Sequence, residues 1–127
     1  MVSNITDFRK KFNKELKTGL LSLLVMMAID RNPEPSYGYK IIKMLENTSG
    51  CRFKFPEGTI YPILSSLSSK GFLKSYWGDS NEGPRRKYYE LTPQGRKALK
   101  ICLEDWKTVS NITEDIIKEL GGSNEKK

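Results

Sequence analysis

PEGTIYPILSSLSSKGFLKSYWGDSNEGPRRKYYELT, residues 56–92, decides the fold. Ile60, Ile63, Leu64 and Leu67 follow an i, i+3, i+4, i+7 spacing, which is the inward stripe of an amphipathic helix. Proline is tolerated in the first turn, where an amide has no intrahelical partner, so Pro62 predicts a helix that starts at Gly58 or Thr59 and ends before Gly71. The opposite face carries Thr59, Tyr61, Ser65, Ser66, Ser68 and Ser69. An ordinary solvent face holds Lys and Glu; a face of hydroxyls suits close approach to DNA, where hydroxyls meet phosphates and base edges. Phe72 to Trp77 reads as a strand, residues 78–84 (GDSNEGP) as a turn, and Arg85 to Leu91 as the return strand. Arg85, Arg86 and Lys87 place three cations where the hairpin leaves its tip. On a lone hairpin they would protect an edge. Beside a hydroxyl-faced helix they suit a grip on phosphates. A helix followed at once by a basic hairpin is the layout of a winged helix-turn-helix. The expected fold class is therefore mainly α with a small β-hairpin.

Downstream, Thr92 and Pro93 supply an N-cap hydroxyl and a proline at the first helical position, and the helix is expected to reach about Leu120, before Gly121 and Gly122. Leu99, Cys102, Trp106, Val109, Thr113, Ile116 and Leu120 step by alternating threes and fours, a heptad seam that predicts a C-terminal dimerisation helix. Upstream, a first helix is expected over residues 7–30, capped by Asp7, apolar on nearly every face from Leu20 to Ile29. Its first half carries Arg9, Lys10, Lys11, Lys14 and Lys17, either a phosphate-contacting or a solvated face. Pro33 and Pro35 mark a loop; Ser36 is the expected cap of a second helix, Tyr37 to Asn47. Residues 51–55 (CRFKF) suggest a short extended piece with Phe53 and Phe55 inward. The chain thus divides into a winged-helix domain with its N-terminal helix (1–92), a dimerisation helix (93–120) and a flexible tail (121–127).

With 127 residues one domain is the default, and a formal charge of +7 points to an anionic partner. The chain has no histidine, which excludes histidine catalysis and ligation. Its two cysteines, Cys51 and Cys102, lack metal-site spacing and fit a reducing, cytoplasmic setting. No phosphate loop, paired carboxylates or metal cluster is visible, so neither an enzyme nor a cofactor is expected. No apolar run is long enough for a membrane span, and no signal peptide is visible.

SYGYKIIKML (36–45), PEGTIYPILSSL (56–67), GFLKSYWGD (71–79) and GPRRKYYELTPQGR (83–96) resemble the phenolic acid decarboxylase regulator (PadR) family of transcriptional repressors, over roughly residues 15 to 110. The single helix after the wing resembles the short-tailed branch, which includes multidrug-responsive members. The resemblance implies a homodimer bound to double-stranded DNA at a palindromic operator, with half-sites about one helical turn apart. Carried over residue by residue, the DNA contacts are Tyr37 and Tyr39 at the start of the second helix, Gly58, Thr59, Tyr61 and Ser65 on the recognition helix, and Arg85, Arg86 and Lys87 on the wing. Gly83 and Pro84 would shape the wing tip. The heptad seam of the last helix supplies the expected dimer interface, through Leu99, Cys102, Trp106, Val109, Ile116 and Leu120. In the multidrug-responsive members a flat pore between first and last helices takes a small planar, aromatic effector. LEDWKTV makes Trp106 the matching tryptophan, with Thr18, Ser22, Leu103 and Val109 beside it. A tryptophan filling the dimer seam is the other reading of Trp106. The competing function is a winged-helix module that binds protein instead of DNA, which leaves the basic wing beside a hydroxyl face unexplained.

Overall fold

A computed structural model describes residues 2–79 and 83–125. In chain order it comprises α1 (Val2–Arg31), β1 (Ser36–Tyr37), α2 (Gly38–Thr48), α3 (Glu57–Ser69), β2 (Leu73–Gly78), β3 (Arg86–Leu91) and α4 (Pro93–Glu125). The strands form one antiparallel sheet in the order β1-β3-β2. The fold is mainly helical, as expected.

The core lies where α1, α2, α3 and the base of the sheet meet. Val25, Ile41, Ile60 and Leu64 are sealed from solvent, joined by Leu21, Phe55, Leu67, Leu73, Tyr89, Leu91 and Leu99. Burying each such aliphatic side chain contributes about 1.5–3 kcal/mol. The inward stripe of α3 is the expected one: Ile60, Leu64 and Leu67 are buried and Ile63 is partly buried. α3 closes with Gly71 at φ +81°, the left-handed position that suits glycine, and Phe72 N–H returns to Leu67 O at 2.9 Å.

Several expectations need correction. α3 begins at Glu57, one residue before the expected start, with Pro56 as N-cap; its carbonyl accepts from Thr59 N (2.9 Å) and Ile60 N (3.1 Å). Pro62 therefore sits in the second turn. Its missing donor leaves only the Gly58 carbonyl unmatched, and both residues are exposed, so water meets that group. Ser36 does not cap α2. It forms β1 with Tyr37, paired Ser36↔Tyr89 and Tyr37↔Tyr88, and its buried hydroxyl accepts from Asn32 Nδ2 at 2.8 Å. α2 has Tyr37 as N-cap, without a side-chain cap bond. α1 starts at Val2, five residues before Asp7. Residues 51–55 form no strand: Phe55 is buried but Phe53 is 43% exposed.

Thr92 caps α4 as expected. Its Oγ1 accepts from Gly95 N (3.0 Å) and donates to Gly71 O (2.6 Å). α4 continues through Gly121 to Glu125, so residues 121–125 are helical where a flexible tail was expected; 126–127 lie outside the described residues. Within the wing tip, residues 80–82 also lie outside them.

Candidate nucleic-acid interface

The sheet register sorts the wing into two faces. One carries Leu73/Leu91, Ser75/Tyr89 and Trp77/Lys87, running from the core out to solvent; the other carries Lys74/Glu90, Tyr76/Tyr88 and Gly78/Arg86. On the second face, Tyr88 stacks on Tyr76 (centroids 5.9 Å apart) and meets Tyr37 edge-on (5.6 Å). The Arg86 guanidinium lies 4.3 Å above the Tyr37 ring. Tyr37 and Arg86, placed at two separate DNA contacts by the sequence, are thus one stacked unit joining β1 to the wing. The stacking holds a planar cation in place and leaves its N–H edge available.

Arg85, Arg86 and Lys87 are all exposed. Arg85 donates to Trp77 O (3.4 Å) and pairs with Asp79 (3.5 Å), an exposed contact of little energetic weight. Lys87 Nζ sits 5.9 Å from the Trp77 ring centroid. Trp77, expected only as the end of the first wing strand, is exposed and lies in register with Lys87.

On α3 the exposed residues are Glu57, Gly58, Thr59, Tyr61, Pro62, Ser65 and Ser69; Gly58, Pro62, Ser65 and Ser69 form its outward ridge, with Thr59 and Tyr61 on opposite flanks. Ser66 and Ser68 turn away from it. Ser66 is half-buried and its Oγ accepts from Lys70 Nζ at 3.0 Å; the Ser68 Oγ is buried without a hydrogen-bond partner. The Tyr61 ring lies flat against Gly38, where a Cβ would come within 2.5 Å of its Cε1. Desolvation by that packing, then the Glu57 carboxylate one turn earlier, push the Tyr61 phenol above its usual value, so it remains a neutral donor and acceptor. Glu57 was not counted on this face, because the helix was expected to start after it. Tyr39, at the second position of α2, is exposed, with Lys43 Nζ 5.5 Å from its centroid.

A second region lies between α1 and α4. A cleft of about 470 Å³ is lined by Leu16, Leu20, Ser22, Met26, Cys102, Trp106 and Val109, among others. Thr18 and Leu103 do not line it. Thr18 is exposed just off the lining edge of α1, and Leu103 packs towards Leu99 and the core. Leu99 is itself 6% exposed and serves this chain's own core, so the free part of the seam begins at Cys102 and runs through Trp106, Val109, Ile116 and Leu120, all exposed.

Residues 25–101, more than half of the chain, match the sequence profile described as the transcriptional regulator PadR-like family. The chain belongs to that family. A PadR family transcriptional regulator from Eggerthella lenta superposes with a TM-score of 0.77 at 27% identity, covering 91% of this chain and 97% of the other. A transcriptional regulator from Clostridium thermocellum gives 0.72, also at 27% identity, covering 82% and 99%. An uncharacterised protein of Lysinibacillus sphaericus is 28% identical over 99 residues, 78% of this chain and 88% of its own length. As a PadR-like protein the chain is a transcriptional regulator with a winged-helix fold, and DNA binding follows from the family. Among the described residues no helix is long and apolar enough to cross a membrane.

The open setting of Gly58 gives a clean test of that face. A Cβ there meets nothing within 4 Å. Gly58→Ala is expected to leave urea unfolding unchanged or raise stability by up to about 1 kcal/mol. If α3 meets DNA at Gly58, DNA affinity measured by fluorescence anisotropy is expected to fall about tenfold, since the methyl group would obstruct close backbone approach. Unchanged affinity would remove Gly58 from the contact surface.

Proposed function

We propose that the chain is a homodimeric transcriptional repressor that reads a palindromic operator with α3 and holds the flanking phosphates with its wing. The observation that carries this is the exposed face of α3, with Thr59 and Tyr61 flanking a ridge that includes Ser65, beside a wing whose Arg85, Arg86 and Lys87 all stand free of the core. Two-fold pairing would use the exposed stripe of α4 and set two such units one helical turn apart. Tyr37 and Tyr39 flank α3 at the start of α2, within the same footprint.

The cleft between α1 and α4 supports the effector part of this reading. It is largely apolar, includes Trp106 in its wall, and would be closed by a second copy into a chamber suited to a flat aromatic molecule. Release from DNA would follow only from tighter ligand binding to a dimer geometry whose recognition helices no longer match the operator.

A gel shift on the gene's own upstream duplex across a salt series tests the first part. Lys87→Ala is expected to weaken binding to operator and random duplex alike and to lower the salt slope by about 0.9, one released counterion. Tyr61→Ala is expected to cost more on operator than on random duplex. Equal losses for Tyr61→Ala would contradict its role in readout. No salt-sensitive shift on any duplex would favour the protein-binding module instead.

A further inference from the structure

The loop that leads into α3 is held in an unusual way. Lys17 Nζ, on α1, donates to Lys54 O at 3.0 Å. Glu46 Oε2, on α2, accepts from Phe55 N at 3.1 Å. These two backbone groups belong to the same peptide unit, so charged side chains from two helices grip its two polar ends. The Lys17 ammonium also sits 5.6 Å from the Phe55 ring centroid and 5.9 Å from that of Phe53. Both bonds are of ordinary length; each has one charged partner, which strengthens it, and the Glu46 bond is part-buried while the Lys17 bond is exposed.

The next residue is Pro56, the N-cap of α3, at φ −62°. A proline ring fixes its own φ and restricts the residue before it, so Phe55 and Pro56 transmit the orientation of the gripped peptide stiffly. The Phe55 side chain is buried, which removes the remaining freedom at that joint. α3 starts at Glu57, so Ser65 lies about 12 Å from the joint, and a tilt of about 10° there displaces Ser65 by about 2 Å. That exceeds the tolerance of a hydrogen bond to a base edge.

We propose that Lys17 and Glu46 are positioning residues for operator recognition, setting the attitude of the recognition helix by holding the Lys54–Phe55 peptide from both sides. The proposal rests on the repressor reading above and takes Lys17 out of the set of phosphate-facing lysines of α1. Neither residue needs to touch DNA.

The test uses the full chain and four proteins: wild type, Lys17→Met, Lys17→Arg and Glu46→Ala. The probes are a duplex selected from a random pool by the wild type and a random duplex of equal length. Lys17→Met and Glu46→Ala are expected to weaken binding to the selected duplex about tenfold, while the random duplex keeps its affinity and salt slope. Lys17→Arg, which retains charge and donors, is expected to recover most of the loss. Hydrogen exchange at the Phe55 amide is expected to accelerate in Glu46→Ala. Equal loss on both duplexes with a salt slope lowered by about 0.9 would make Lys17 a phosphate contact and overturn the proposal. So would a lowered melting temperature with an unchanged ratio of selected to random affinity, which marks a purely structural contact. A wild type that binds no duplex would defeat the repressor reading, and the role in recognition with it. The Phe55 amide would then still report whether the peptide is gripped.

Discussion

Gly95→Ala is expected to cost about 3 kcal/mol or more of folding stability, because its added methyl group would meet backbone and not a movable side chain. Gly95 lies in the first turn of α4, and a Cβ there would collide with the Phe72 carbonyl oxygen and approach Leu91 Cδ2 at 3.0 Å. The obstacle is backbone, which cannot rotate aside. Phe72 O is also engaged by Thr92 N at 3.1 Å, and Thr92 Oγ1 by Gly71 O. Moving the Phe72 peptide therefore breaks the junction that welds α4 to the turn between α3 and β2. Alanine's better helix propensity returns at most about 1 kcal/mol. Gly58→Ala, at a site in α3 where a Cβ meets nothing within 4 Å, is the matched control and is expected to be neutral or stabilising. Urea unfolding of both variants at one protein concentration checks this. A Gly95→Ala midpoint equal to wild type would show that the junction yields.

The same junction shows what could be read from sequence. Thr92 and Pro93 announced the start of α4 because a cap is local chemistry, whereas the closeness of Phe72 to Gly95 is tertiary and has no local signal. The inward stripe of α3 is legible because helical periodicity survives in one sequence; its start is not, because a proline points to the first turn, although an exposed helix can leave one carbonyl to water. β1 is two residues long, too short to show alternation, and Ser36 looked like a helix cap. Glycine at 121 and 122 was read as a stop, yet glycine ends a helix only when a residue adopts the left-handed cap conformation, and α4 runs on. At the candidate interface, spacing places Thr59, Tyr61, Ser65, Ser66 and Ser68 alike off the inward stripe. The half-burial of Ser66 and Ser68 depends on neighbours that spacing alone does not name. Lys17 was indistinguishable from its neighbouring lysines, because its partners are a backbone carbonyl and two rings distant in sequence.

Ile116→Glu is expected to raise the dissociation constant of the proposed homodimer about a thousandfold. From Val109 onward α4 carries Ile112, Ile116, Ile117 and Leu120, all exposed, with Leu120 at 72%. Towards its N-terminus α1 adds Ile5, Phe8, Phe12 and Leu16, equally uncovered. A monomer seldom leaves contiguous apolar surface of this extent in water. In a two-fold interface every substitution occurs twice. Losing the burial of one isoleucine costs about 2 kcal/mol, so two copies cost about 4 kcal/mol, or roughly three powers of ten. The desolvation of two carboxylates adds to this. Lys118→Glu, on the opposite side of α4, changes the local charge more while leaving the stripe intact, and is expected to shift the constant by less than about tenfold. Sedimentation across a concentration series separates the two variants, and DNA binding should follow. A monomer meets one half-site at a time, so Ile116→Glu is expected to retain weak half-site affinity and lose the gain from a second half-site at one-turn spacing. An Ile116→Glu protein that remains dimeric at wild-type concentrations would mean that α4 pairs through another face, and that the wing and recognition helix are spaced by some other contact.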